Sequence, residues 1–237
     1  MKTLINWVAG ILLLLTLTLN FSEPIKSSIE KQINSTAIVM SYNNSGSPTG
    51  GGSGFFINSR GDMLTCAHVV DDTDTYRIIN KNGTVVHVKQ VLKKDKERDI
   101  ALITVDEPSF KFDHLNIEKD TNVKVKETVV VIGNPWLDYD FSMSEGIVSA
   151  LRKYKDKYLY LQVTAPAYPG NSGGPILNER GNVIGMVSRG RMFCYNIVLG
   201  PSNKEIIEFL RGTRCEVRLT PFESYINTLG ESKNDTE

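Results

Sequence analysis

Cysteine is scarce in this sequence. The 237 residues include three cysteines, Cys66, Cys194 and Cys215. Three cysteines form at most one disulfide bridge, which excludes a small fold held together by several bridges. Cys66 lies inside an apolar run, so we expect any bridge to join Cys194 to Cys215, and three buried thiols are the alternative.

An excess of charge is also missing. The 27 lysines and arginines balance the 27 aspartates and glutamates, and the short basic run at residues 93–98 also contains Asp95 and Glu97. Nucleic-acid binding normally requires a basic surface, so we expect no nucleic-acid partner. The sequence also gives no reason to expect a metal ion or another cofactor.

Long apolar runs are absent except at the N-terminus. Residues 3–22 contain no charged residue and follow a single Lys2. About 20 apolar residues are enough to span a bilayer, whereas a signal peptide needs a shorter apolar centre and a small-residue cleavage site. The sequence near Ser22 lacks an Ala-x-Ala pattern. We therefore keep both an uncleaved membrane anchor and a signal peptide, and both place residues 23–237 outside the cytosol.

What the sequence does contain is a series of short apolar runs separated by turn residues, which predicts an all-β protein built as a sandwich or barrel. We expect strands at residues 37–42, 54–57, 63–70, 76–79, 85–91, 100–105, 128–132, 146–151, 158–163, 175–177, 183–187 and 192–198. One helix is predicted near the end, where Ser202 and Glu205 form a capping box and Gly212 marks a stop.

Residues 169–175, Pro-Gly-Asn-Ser-Gly-Gly-Pro, form the main candidate functional loop. Glycines beside Ser172 allow positive φ angles and a close approach of substrate, so Ser172 is the candidate nucleophile. The backbone at Gly170, Asn171 and Ser172 is the candidate oxyanion hole, with the N–H groups of Gly170 and Ser172 as donors.

A serine nucleophile needs a base. The sequence contains three histidines, and we interpret His87 and His114 as surface residues because they lie in polar stretches. His68 follows the apolar run at residues 63–67, where a strand can deliver its imidazole to a shared edge. We therefore predict that His68 is the base.

The base in turn needs an acceptor for its second N–H. Asp99 stands between the charged run and the apolar residues 100–105, so its carboxylate can point inward, and we predict that it orients His68. Among the other aspartates, we interpret Asp95 and Asp106 as surface charges. A cluster near His68 is interpreted as a solvated turn and consists of Asp71, Asp72 and Asp74.

Six motifs in order resemble the HtrA/Deg branch of the trypsin-like serine proteases. They are Gly52-Ser-Gly-Phe-Phe-Ile, Leu64-Thr-Cys-Ala-His-Val-Val, Arg98-Asp-Ile-Ala-Leu-Ile, Gly133-Asn-Pro, Gly146-Ile-Val-Ser-Ala and Gly170-Asn-Ser-Gly-Gly-Pro. The resemblance covers residues 38–210 and keeps the family order of histidine, aspartate and serine. It differs in that the chain is too short after residue 212 for the PDZ domain that such proteases usually carry.

The resemblance implies two perpendicular Greek-key β-barrels with the active site between them and a C-terminal helix. We expect a first barrel at residues 37–116 and a second barrel with the helix at residues 117–212. The remaining segments are expected to be the signal peptide or anchor at 1–22, a linker at 23–36 and a tail at 213–237.

The expected specificity pocket lies a few residues before Ser172 and on the strand after the next hairpin. Its walls are predicted to be Pro166, Ala167, Val187, Ser188 and Arg189. None of these residues supplies a carboxylate, so a preference for a modest-sized aliphatic residue before the cleaved bond is expected.

These observations predict a serine endopeptidase that acts on exported or misfolded polypeptides, and a homo-oligomer is a further expectation. A catalytically idle chaperone or binding protein on the same fold is the alternative from another class. An esterase of the same chemistry is a third interpretation, because acyl transfer to serine does not by itself select amides over esters.

Overall fold

Alternating apolar side chains in the first half of the chain build a closed barrel of six strands. The computed structural model describes residues 28–70, 75–107, 109–137, 141–191, 194–211, 213 and 219–220. Within these ranges, the side chains of 189–191, 194–197 and 219–220 are not described. The barrel strands are β1 (Thr36–Tyr42), β2 (Pro48–Phe56), β3 (Asp62–Thr65), β4 (Thr75–Ile79), β5 (Val85–Asp95) and β6 (Ile100–Val105). Their order is β1-β2-β3-β6-β5-β4, and β4 pairs with β1 to close the barrel.

The second half forms a sheet of nine described strands. They are β7 (Ile117–Glu118), β8 (Thr128–Gly133), β9 (Ser142–Tyr154), β10 (Tyr158–Val163), β11 (Pro175–Leu177), β12 (Val183–Met186), β13 (Arg189–Arg191), β14 (Cys194–Pro201) and β15 (Leu219–Thr220). Their order is β13-β14-β10-β9-β8-β11-β12-β7-β15, so the sheet is open at β13 and β15. The all-β, trypsin-like architecture that we expected is confirmed, with the second sheet left as a half-barrel.

Two α-helices and a 3-10 helix (Pro135–Leu137) accompany the strands in the described part of the chain. The first, α1, covers residues 28–34, inside the segment that we predicted to be a linker. The second, α2 (Asn203–Leu210), is the predicted C-terminal helix. Its predicted capping box is wrong, because Ser202 makes no side-chain capping hydrogen bond. Glu205 instead accepts hydrogen bonds from Arg98 and from the backbone of Leu159.

The larger apolar core joins the barrel to the second sheet. Fully buried residues of β6 such as Leu102 and Ile103 belong to the same cluster as Met186 of β12 and Phe209 of α2. Burial of a side chain of this size stabilises a fold by about 1.5–3 kcal/mol. The continuous core therefore holds the facing edges of barrel and sheet together, where the candidate site lies.

A buried carboxylate stabilises the far end of the second sheet. Glu118 of β7 is 3% exposed and accepts a hydrogen bond from Arg180 at 2.9 Å. The side-chain amides of Asn178 and Asn182, in the turn between β11 and β12, donate to the same oxygen at 3.1 and 3.2 Å. Several donors thus compensate for the burial of this charge.

Candidate active site

The loop that carries Ser172 lies between β10 and β11, and its path depends on two glycines. Gly170 has a φ of +100° and Gly173 a φ of +90°, values that side chains strongly disfavour. A Cβ atom at Gly173 would lie 2.0 Å from the carbonyl oxygen of Ser53, and one at Gly170 would lie 2.3 Å from that of Asn134. Only glycine fits at both positions, and these two glycines allow the tight turn that carries Ser172.

His68 and Asp99 meet on the barrel side of the site. The imidazole Nδ1 of His68 lies 2.9 and 2.8 Å from the two carboxylate oxygens of Asp99, and the backbone N–H of His68 donates to Asp99 at 3.1 Å. The His68 side chain is 52% exposed, whereas that of Asp99 is 4% exposed. The pairing fixes one edge of the ring and leaves the other edge open to the cleft.

Hydrogen bonding keeps Asp99 ionised despite its burial. Burial by itself raises the pKa of Asp99, but hydrogen bonds from His68 and Ser188 and the charge of His68 outweigh it, and the pKa lies below its ordinary value. A carboxylate that stays ionised can accept the imidazole N–H and stabilise a protonated imidazole.

Ser188 connects the aspartate to the serine loop. Its hydroxyl donates to Asp99 at 2.5 Å, and its carbonyl oxygen accepts a hydrogen bond from the hydroxyl of Ser172 at 3.5 Å. We expected Ser188 in the wall of the substrate pocket, but its side chain is buried against Asp99, so only its backbone is available to a substrate. One residue thus links two of the three predicted catalytic residues.

Ser53 of β2 fixes the serine loop to the barrel. Its N–H donates to the carbonyl of Ser172 at 2.7 Å and its hydroxyl donates to that of Gly170 at 2.8 Å. The backbone N–H of Asn134 donates to the same hydroxyl at 3.0 Å. Local sequence alone gave no indication of this role of Ser53, although its glycine-flanked motif was among those that carried the resemblance.

The backbone N–H groups of the serine loop fall into two sets. The N–H groups of Asn171, Gly173 and Gly174 donate to protein carbonyls. Within the described part of the chain, those of Gly170 and Ser172 have no protein acceptor. Asn171, which we included in the oxyanion hole, donates its N–H to Tyr168 at 3.0 Å, so the available donors are those of Gly170 and Ser172.

The predicted pocket residues lie beside this loop. Pro166 and Ala167 are half-buried, and Val187 is 4% exposed and exchanges backbone hydrogen bonds with Gly173 and Gly174. The side chain of Arg189 falls outside the described residues, and only its backbone, in β13, is placed. The described side chains among these residues are small and apolar.

The remaining candidates lie away from the cleft or outside the described residues. His87 is exposed on β5, and the imidazole of His114 lies 3.3 Å from the carbonyl of Phe112. Of the alternative carboxylates, Asp106 pairs with Lys89 at the surface. Three further residues lie outside the described ranges: Asp71, Asp72 and Asp74.

Cys66 is a free, fully buried thiol beside the aspartate. Burial and the charge of Asp99 raise its pKa well above the ordinary value, and its sulfur donates to the carbonyl of Val187 at 3.2 Å. Donor atoms of Cys66, His68 and Asp99 lie within 4.8 Å of one another, the spacing of a metal site. Each is already engaged in the network described above.

The side chain of Cys194 and all of Cys215 lie outside the described residues, and so does their expected bridge.

Comparison with known proteins identifies the family of this chain. The family model of the trypsin-like peptidase domain matches residues 52–186, more than half of the chain. The chain belongs to the trypsin-like peptidase family.

Several curated relatives of this trypsin-like peptidase are bacterial. Proteins named probable periplasmic serine endoprotease DegP-like are 38% identical over 145 residues in Rhizobium meliloti, 34% over 145 in Brucella suis and 33% over 141 in Pseudomonas fluorescens. These regions are 59, 59 and 58% of this chain and 28, 27 and 29% of the relatives. The chain thus spans less than a third of the length of these three relatives.

The N-terminal apolar run of this trypsin-like peptidase, residues 3–22, lies outside the described residues. Within the described residues, no helix has the length and apolar character needed to cross a bilayer.

The lowered pKa of Asp99 predicts how stability depends on pH. A carboxylate with a lower pKa in the folded state stabilises the fold above its unfolded pKa of about 3.9, and this contribution is lost as pH falls through the folded pKa. Asp99→Asn cannot make this contribution. The difference in free energy of unfolding between wild type and Asp99→Asn should therefore shift in favour of wild type between pH 3 and pH 7, measured by urea denaturation. Equal differences at both pH values would contradict this.

Proposed function

We propose that this trypsin-like peptidase is an active serine endopeptidase in which Ser172 is the nucleophile, His68 the general base and Asp99 the residue that orients His68. The observation that carries the proposal is the pairing of His68 Nδ1 with the buried carboxylate of Asp99, which leaves the other edge of the imidazole exposed. The hydroxyl of Ser172 bonds to Ser188 in the free enzyme. Catalytic hydrogen bonds are often long or misaligned before substrate binds.

The proposed reaction has two acyl-transfer steps. The Ser172 hydroxyl adds to the scissile carbonyl carbon while its proton passes to His68, and the resulting oxyanion accepts hydrogen bonds from the N–H groups of Gly170 and Ser172. His68 then donates the proton to the leaving amine as the C–N bond breaks. Water hydrolyses the acyl-enzyme by the same route, with His68 again accepting and returning a proton.

The chemistry of the site favours this function over an idle chaperone or binding protein. An idle chaperone or binding protein gains nothing from a buried carboxylate paired to a histidine or from two unpartnered N–H donors. An esterase would use the same residues, so a peptide substrate is needed to separate it from an endopeptidase. The relatives are named endoproteases, which supports polypeptides as the substrates.

Substitution at the proposed triad should abolish turnover without unfolding the protein. Ser172→Ala and His68→Ala should each lower kcat on a peptide amide by about 10⁴- to 10⁶-fold, with little further loss in the double variant, because the residues act as a unit. Labelling by a fluorophosphonate should be lost in Ser172→Ala. Substantial amidase activity in Ser172→Ala would refute the proposed function, and labelled wild type that cleaves esters only would favour the esterase.

We also propose that the primary pocket accepts small aliphatic side chains. Its described walls, Pro166, Ala167 and Val187, carry no charge, and the hydroxyl of Ser188 is occupied by Asp99. An unpaired cation in such a slot costs several kcal/mol, whereas each methylene changes binding by only about 1–3 kcal/mol. The preference should therefore be broad but exclude lysine and arginine.

A digest of a peptide library, analysed by mass spectrometry, tests the pocket. Cleavage should occur mainly after valine, alanine or leucine, because these residues fill an apolar slot without burying a charge. The variant Ala167→Asp should shift cleavage toward basic residues. Predominant cleavage by wild type after lysine or arginine would contradict the pocket, and cleavage after acidic residues would assign specificity to Arg189.

We further propose that the catalytic part acts outside the cytosol. The supporting observations are the uncharged residues 3–22 after Lys2 and the periplasmic names of the relatives. Membrane association through residues 3–22 and a homo-oligomer are parts of this proposal, and size-exclusion chromatography of the full chain tests the second.

Protease accessibility measures the location directly. The positive flank of an N-terminal apolar segment stays inside, so protease added to cells with a permeabilised outer envelope should digest the catalytic part while a cytosolic marker survives. Sequencing the mature N-terminus distinguishes a removed signal peptide from an anchor. Full protection of the protein alongside the cytosolic marker would refute the proposed location.

A further inference from the structure

Asp99 has an unusual backbone conformation. Its φ is +57°, in the left-handed region, where a residue other than glycine costs about 1 kcal/mol or more. The turn that holds it joins β5 to β6. Such a turn keeps its shape only where neighbouring groups stabilise it, so the contacts around it bear on where the Asp99 carboxylate points.

The turn is first held from within. The carboxylate of Asp95 accepts the backbone N–H groups of Glu97 and Arg98, both at 2.9 Å. We interpreted Asp95 as a surface charge from the sequence, but its side chain is only 22% exposed. Burial by itself raises the pKa of Asp95, and the hydrogen bonds from Arg98 more than offset this, so the pKa is lowered and Asp95 stays ionised.

Arg98, the residue directly before Asp99, holds the turn to the second half of the molecule. Its guanidinium contacts three carboxylates: Asp95 at 2.7 Å, Glu205 of α2 at 3.0 Å and Glu208 of α2 at 3.3 Å. The Arg98 side chain is 21% exposed and that of Glu205 is 4% exposed. We call these four residues the Arg98 cluster.

Strand β10 adds two more contacts to Arg98. The guanidinium lies over the ring of Tyr158 at 4.6 Å, and the backbone carbonyl of Arg98 accepts the hydroxyl of Tyr160 at 2.7 Å. Glu205 is itself fixed, because its second oxygen accepts the N–H of Leu159 at 2.9 Å. Both the side chain and the backbone of Arg98 are therefore anchored to β10 and α2, one residue from the carboxylate that pairs with His68.

We propose that Arg98 is a positioning residue: it ties the turn that carries Asp99 to α2 and β10 and thereby holds the Asp99 carboxylate against the imidazole of His68. This inference rests on the proposed serine endopeptidase function. A displacement of about 1 Å at a catalytic group can cost about 100-fold in rate. A planar guanidinium suits this role because it binds several carboxylates in fixed directions, which an ammonium does not.

The competing explanation is that Arg98 contributes only to stability, and the chain contains a matched control. Arg180 also pairs with a buried glutamate, Glu118, at 2.9 Å, and its side chain is 26% exposed. It lies in the turn between β11 and β12, outside the proposed catalytic machinery. Arg180→Ala therefore reproduces the loss of a comparable ion pair without touching the turn of Asp99.

The first measurement is steady-state kinetics of the full chain on a peptide amide. Arg98→Ala should lower kcat about 10- to 100-fold with little change in KM, because the base is misplaced and the substrate pocket is not. Arg98→Lys should recover part of the loss. Arg180→Ala should also lower thermal stability yet keep the kcat of wild type.

The second measurement does not depend on turnover. The proton between His68 Nδ1 and Asp99 gives a downfield proton NMR signal, which should be present in wild type, Arg180→Ala and Ser172→Ala and should weaken or move upfield in Arg98→Ala. If Ser172→Ala keeps amidase activity, the proposed function fails while this signal still decides the role of Arg98. Arg98→Ala with an unchanged signal, or with a kcat equal to that of Arg180→Ala, overturns the inference.

A second variant covers the case in which Arg98→Ala does not fold. Glu205→Gln keeps an acceptor for Leu159 but loses the charge that binds Arg98, so it should lower kcat and weaken the NMR signal in the same way. Arg98→Lys combined with Glu205→Gln should cost less than the sum of the two, because both changes break one cluster. Normal kcat and signal in Glu205→Gln would overturn the inference.

Discussion

The contact between Ser53 and the serine loop is the interaction on which the rest of the site depends. Ser53 donates its N–H to Ser172 and its hydroxyl to Gly170, so a single barrel residue aligns the backbone on both sides of the nucleophile. Its own carbonyl accepts the hydroxyl of Thr65 at 2.7 Å. Thr65 ends β3, the strand that leads to His68. The position of the nucleophile and that of the base are therefore set by neighbouring strands of one barrel.

The two halves of the molecule contribute different residues to the site. The barrel supplies His68 and Asp99, and the second half supplies Ser172 and Ser188. The buried hydroxyl of Ser188 donates a hydrogen bond to Asp99. Since a buried carboxylate is stable only when its donors are in place, the charge of Asp99 depends on the association of the two halves. The charge of Asp99 and the packing between the two halves therefore stabilise each other.

Local pattern predicted much of the fold, and its failures have physical causes. The strands at 100–105, 158–163 and 175–177 were predicted with their observed bounds, because their mostly buried residues leave a clear apolar run. Strand β2 begins at Pro48, inside a stretch that looks like a loop. A Cβ atom at Gly52 would lie 2.6 Å from the carbonyl of Ser172, so glycine is required there by a residue 120 positions away. Likewise, Glu205 has the spacing of a capping residue, but its carboxylate binds Arg98 instead. Contacts that depend on distant residues were not visible in local sequence, and the same is true of the roles of Ser53, Ser188 and Arg98.

The buried thiol of Cys66 has a consequence for observing the molecule in motion. Its sulfur belongs to the barrel and bonds to the carbonyl of Val187 in the second half, and it is fully shielded from solvent. Because the sulfur is fully buried at this contact, a reagent reaches it only when the contact opens. Its raised pKa further suppresses reaction while the protein is closed. The rate at which this sulfur is alkylated therefore measures how often the contact between the two halves, beside the proposed active site, opens.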